Sequence, residues 1–321
     1  MKKVFIFILV FFAALAILPC IGRPIIWWNA VANPDLKETL LYFRIPRVIF
    51  AFIVGAALAV AGAAFQALFR NPLATPYTLG ISSGAGFGAV LAIYLGIVSP
   101  VSWLPATSIF SFLGAIATVG LVYGFTRIRG GLNITTLLLA GVATNFFFSA
   151  LVLLLQYLSD YTQTHRMLFW LMGNLDVYGY HEILIALFPA IVGIIFIWSI
   201  ALELDMLVLG EELASARGVS TKVLKIAIFL FVSLLVGAVV SISGPIGFVG
   251  LIVPHTVRLI TGSRHSITIP ACIFFGATFL ACADTVARVI IYPAQIPVGV
   301  ITALLGGPFF LWLLLRKEYH F

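Results

Sequence analysis

Charge is scarce in this sequence. Only 9% of its 321 residues are Asp, Glu, Lys or Arg, against roughly a quarter in an ordinary soluble domain. So few charged groups cannot cover a water-soluble fold, and with 62% hydrophobic residues lipid has to be the solvent for most of the chain. The acidic residues, 11 in all, are too dispersed to form a paired general acid and base. That argues against an intramembrane enzyme, which needs reactive groups at depth. Only Asp284 and Arg288 qualify, one helical turn apart, and a structural ion pair accounts for them. Cysteine is limited to Cys20, Cys272 and Cys282, with no CxxC pair and no histidine at metal-ligand spacing, so neither a metal nor a cofactor is expected.

A phosphate-gripping loop is missing too. Gly84-Ala85-Gly86-Phe87-Gly88 has no Lys-Ser or Lys-Thr behind it and no strand ahead of it. Any ATP-driven work therefore has to come from a partner. The net charge of +7 does not mark a nucleic-acid binder, because the basic residues stand singly or in pairs between apolar blocks and form no basic face.

What the chain has in abundance is apolar runs. They fall at 1–20, 48–69, 80–98, 104–125, 134–158, 183–202, 223–241, 246–260, 267–291 and 298–315, which predicts an all-α polytopic membrane protein of about ten transmembrane helices, a single permease-like domain spanning 1–321. The first run resembles a signal peptide, but Pro19 stands where the cleavage site needs a small residue, so an uncleaved helix is expected. The span ending at Ile260 is short for a crossing. Starting the first helix inward at Lys2 and Lys3 divides the 18 Lys and Arg twelve to six, with the larger share inside, so both termini are placed in the cytoplasm. Gly55, Ala59, Gly62 and Ala63, and again Gly80, Gly84 and Gly88, recur at helical spacing, which lets helices approach closely in lipid.

Two connections stand out. An outer one, 21–47, holds Trp27, Trp28 and Tyr42, suited to a membrane interface. An inner one, 203–221, carries Glu203, Asp205, Glu211, Glu212 and Arg217 and reads as a short amphipathic helix bounded by Gly210 and Gly218. Ionisable residues deep in the spans, which an ion-coupled secondary transporter needs, are nearly absent.

Ordered motifs carry a family resemblance. Arg44-Ile45-Pro46-Arg47, Val54 to Ala59 with Ala61-Gly62, Gln66-Ala67-Leu68, Asn71-Pro72-Leu73-Ala74 and Gly80 to Gly86 are similar to the FecCD-type permeases, the membrane subunits of ATP-binding-cassette importers for iron-siderophores, haem and vitamin B12. The second half agrees through Leu138 to Val142, Trp170 with Gly173, Ser243-Gly244-Pro245 up to His255 with Arg258, Ala283-Asp284 with Ala287-Arg288, and Gly306-Gly307-Pro308. The resemblance implies a fold like that of the vitamin B12 importer permease in a bacterial or archaeal cytoplasmic membrane. It also implies a second permease subunit, here a homodimer, cytoplasmic ATPase subunits and an external substrate-binding protein. By motif position it assigns Gly210, Glu211, Glu212, Ala214, Arg217 and Gly218 to ATPase coupling. Arg44, Arg47 and Arg288 go to binding-protein docking, and Asn133, Thr135 and Thr136 to an inner gate. The expected cargo is an iron chelate (siderophore or haem) or cobalamin, with an oxyanion such as molybdate as the alternative.

Overall fold

The computed structural model describes residues 2–22, 34–99, 104–128, 134–291 and 293–315, and among them there is no strand. Its helices are α1 (Lys2–Ile17), α2 (Pro34–Thr39), α3 (Ile45–Phe69), α4 (Ile81–Tyr94), α5 (Ala106–Ile128), α6 (Ile134–Leu158) and α7 (Tyr161–Leu171). They continue as α8 (His181–Ser199), α9 (Ala201–Leu209), α10 (Glu211–Ala216), α11 (Thr221–Ser243), α12 (Val249–Thr261), α13 (His265–Val289) and α14 (Val298–Leu315). Seven helical segments are long and apolar enough to cross a membrane, and three shorter apolar helices, at 81–94, 249–261 and 298–313, accompany them. Every expected span thus has its helix. The 80–98 span contracts to a 14-residue helix of about 21 Å, short of a bilayer core, so α4 crosses only with help from its neighbours.

The outer connection departs from expectation. Among the described residues helix runs from Pro34. It then runs through a π turn, Leu40–Arg44, into α3 without a break. Arg44 and Arg47 are therefore helical residues, where the sequence predicts a loop.

This 34–69 helix is the axis of the fold. Its most apolar stretch is 89% buried, whereas that of α1 is 17% buried and faces outward. Around the axis pack α8, α11, α12 and α13. Small residues set the spacing: a Cβ at Gly62 would lie 2.0 Å from the Gly250 carbonyl oxygen, and one at Gly55 would lie 2.3 Å from that of Gly276. Backbones this close gain dispersion contacts that lipid chains cannot match. A second unit pairs α4 with α5, where a Cβ at Gly88 would meet the Phe110 carbonyl at 2.0 Å. Gly55, Gly62, Gly84 and Gly88, predicted to allow close approach, are thus among the glycines at which it happens, and Gly114, Gly276, Gly299 and Gly306 join them.

Candidate functional site

Polar residues gather at the two ends of the α3 axis. From Arg47 to Arg70 the helix rises about 35 Å, more than the hydrocarbon thickness of a bilayer, so the clusters belong to opposite membrane faces.

At the Arg47 end, one buried carboxylate organises the structure. Asp284 on α13, its side chain 1% exposed, accepts from Arg47 Nε at 2.9 Å and from Nη2 at 2.8 Å. Arg288 Nε, one turn along α13, stands 3.2 Å from the same carboxylate. Arg47 also donates from Nη1 to Gln295 Oε1 at 2.8 Å and to Asp176. One guanidinium thereby ties α3 to α13, to the segment after α7 and to the segment before α14. Its fixed fork of donors is what makes that possible. Asn174 steadies Asp176 through its own side-chain amide, at 2.6 Å. Arg44, 8% exposed, lays its guanidinium beside Gly22. Arg44, Arg47 and Arg288 line one cavity of ≈ 630 Å³ together with Asp176, Tyr178 and Gln295. The structure thus collects the three arginines of the docking expectation. The sequence pairs Asp284 with Arg288 alone; the bonds of Arg47 to Asp284, Asp176 and Gln295 join residues that no spacing rule connects.

The opposite end carries the 203–221 segment. Gly210, at φ 130 and ψ 147, separates α9 from α10 in a conformation that side-chain-bearing residues avoid. The short helix expected between Gly210 and Gly218 is α10, and α9 precedes it across that hinge. Glu211 turns inward, with Oε2 2.5 Å from Lys225 Nζ of α11 and Oε1 3.5 Å from Arg70 Nη2 at the end of α3. Ala214 is fully buried, whereas Glu212, Leu213, Arg217 and Gly218 are exposed. The expected coupling residues therefore divide into an inward pair, Glu211 and Ala214, which seats α10, and an outward set. Leu213, 58% exposed on α10, and Leu209, 65% exposed at the end of α9, are apolar surface residues of this segment that the sequence reading missed. Nearby, Asp205 accepts from the backbone N–H of His265 at 2.9 Å and meets its ring at 2.6 Å, fastening α9 to the start of α13. Lys3 Nζ donates to the Ile260 carbonyl at 2.6 Å, which puts the chain start on this same rim.

Of the gate candidates, Asn133 lies outside the described residues. Thr135 is exposed, and Thr136 lines an apolar cavity of ≈ 700 Å³ between α5 and α6 with Leu121, Phe125 and Phe147. Among the described residues no group of three His, Cys, Asp or Glu could hold a metal ion.

The family model of the FecCD transport family matches residues 6–316. The chain belongs to the FecCD transport family. FecCD permeases are noncatalytic transport subunits, and with its apolar helices this one is a multi-pass membrane protein. It is 41% identical over 300 residues to the hemin transport system permease protein HmuU of Yersinia pestis, covering 91% of this chain and 87% of that one. It is 40% identical to the cobalamin import system permease protein BtuC of Halobacterium salinarum, over 89% of this chain and 76% of the relative. A solved structure of a metal-chelate type ABC transporter in an inward-facing conformation superposes with a TM-score of 0.89 at 34% identity, covering 98% of both chains.

Proposed function

We propose that this chain is the permease subunit of an ATP-binding-cassette importer, pairing with a second copy of itself and carrying an iron chelate such as haem, or a related chelate such as cobalamin. The observation that supports this most is the polarity of the fold: an exposed, hinge-flanked helix at one membrane face and an arginine-lined cavity at the other. The α10 rim is the cytoplasmic one, and with it both termini. A separate ATPase engages Glu212, Leu213 and Arg217, while Glu211 and Ala214 pass its displacement to α3 and α11. An external binding protein meets the opposite rim, presenting carboxylates to the Arg44 and Arg288 side of the cavity; Arg47 fastens that rim through Asp284. The hemin and cobalamin relatives and the metal-chelate neighbour support the cargo class.

The test is reconstitution. The chain is co-expressed with its cognate ATPase and binding protein, and uptake of haemin and of cobalamin into proteoliposomes is followed. ATP-dependent uptake that needs all three components is expected. Uptake that continues without ATP and collapses with an ion gradient would overturn the importer reading.

A further inference from the structure

Helix α7 stands outside everything described so far. Asp160 caps it by accepting from the Gln163 N–H at 2.7 Å, and Met167 on its inner face is fully buried. Its outer face carries a row spaced by one turn: Tyr161, 87% exposed, then His165, then Phe169. The rings of Tyr161 and His165 stack at 6.3 Å and 18°, and those of His165 and Phe169 lie 4.7 Å apart. Arg166 is exposed next to them and, with Phe169 and Trp170, lines a cavity of ≈ 350 Å³ that runs under the helix to Asn174, Asp176 and Glu182. This places the row on the same membrane face as the arginine cavity, since Asp176 borders both.

We propose that the Tyr161–His165–Phe169 row is a contact site for a flat metal macrocycle with an acidic edge, an iron porphyrin, in which His165 reaches the metal and Arg166 the carboxylates. The proposal rests on the importer reading and narrows its cargo. An imidazole nitrogen is a good axial donor to ferric porphyrin iron and needs only to displace a weakly held water or hydroxide there, with no redox change. With the imidazole standing axially, the Tyr161 ring, 18° from parallel to it, and the tilted Phe169 ring meet the porphyrin edge-on and add apolar contact on either side of the metal, and a guanidinium grips carboxylate oxygens. Other chelates fit this chemistry poorly. A hexadentate siderophore leaves its iron no open position, a cobalamin already fills one face of its metal with its own tethered base, and a small oxyanion calls for clustered donors where this face offers rings.

The experiment titrates haemin into the full-length chain in lipid nanodiscs and follows the Soret band. A saturable shift to imidazole-ligated ferric haem is expected, lost in His165→Ala. Phe169→Ala should keep the band position but weaken binding roughly two- to tenfold, the effect of one aromatic contact. Metal-free protoporphyrin should bind without any dependence on His165. A shift that survives His165→Ala, or a wild-type chain that gives none, overturns the proposal. If ATP-driven uptake of cobalamin or a ferric siderophore is nonetheless observed, only this inference falls; if no chelate is taken up with its partners present, the importer reading falls instead.

Discussion

Removing the Asp284 carboxylate should hurt this protein more than removing the arginine that grips it most tightly. In Asp284→Asn the side chain keeps its shape, but Arg47 and Arg288, 7% and 9% exposed, both lose a counter-charge. Breaking a buried ion pair from one side costs about 3–5 kcal/mol, and with Arg288 stripped of its carboxylate and Arg47 left with Asp176 alone this variant falls at the upper end. In Arg47→Met, Asp284 keeps Arg288 at 3.2 Å, and Asp176, already 54% exposed, turns to water. The loss there is closer to that of hydrogen bonds to a charged group, about 1.5–3 kcal/mol. The assay is thermal unfolding of each purified variant in the same detergent, followed by intrinsic fluorescence. Asp284→Asn should show the larger drop in midpoint. Equal drops, or a larger one for Arg47→Met, would refute the picture of one buried carboxylate balancing two buried arginines.

Other consequences can be measured in parallel. Glu211→Gln should leave co-purification of the ATPase nearly unchanged while lowering transport per ATP hydrolysed, whereas Glu212→Lys should lower co-purification itself; identical behaviour of the two would dissolve the division of α10 into inner and outer faces. Gly62→Leu should destabilise by about 1–3 kcal/mol through overpacking against Gly250, read as a lower yield of monodisperse protein, while Leu9→Ala on the outward face of α1 should change little. Arg44→Glu with Arg288→Glu should weaken capture of the binding protein in a salt-dependent manner; capture indifferent to both charge and salt would remove the docking assignment.

Much of the architecture was legible because lipid imposes a simple rule: runs of apolar residues become helices, and the run at 134–158 coincides with α6 to the residue. Close approach at Gly55 and Gly62 followed from spacing alone. Other features were hidden for identifiable reasons. The 34–44 stretch is mildly polar and was read as loop, since only its contacts with Tyr178, Gly179 and Tyr180 make it helix-supporting ground. Helix α7 carries too many polar residues to register as a span, although Asp160 and Gln163 three positions on are a helix-start signal. The Arg47–Asp284 bond joins residues far apart in sequence, and no local pattern encodes a partner at that separation. In α10, composition could show charge but not which glutamate faces inward; that depends on Lys225 and Arg70 arriving from two other helices.

The placement of the central helix has a bearing on biogenesis. It leaves the ribosome well before Gly250 and Gly276, against which its small residues close. Until then Gln66 and the small-residue stripe lack their partners on α12 and α13, and Arg47 lacks Asp284. The nascent chain thus passes through a vulnerable window whose end is set by the emergence of α12 and α13. Chains truncated before that point should be the ones that quality-control proteases recognise.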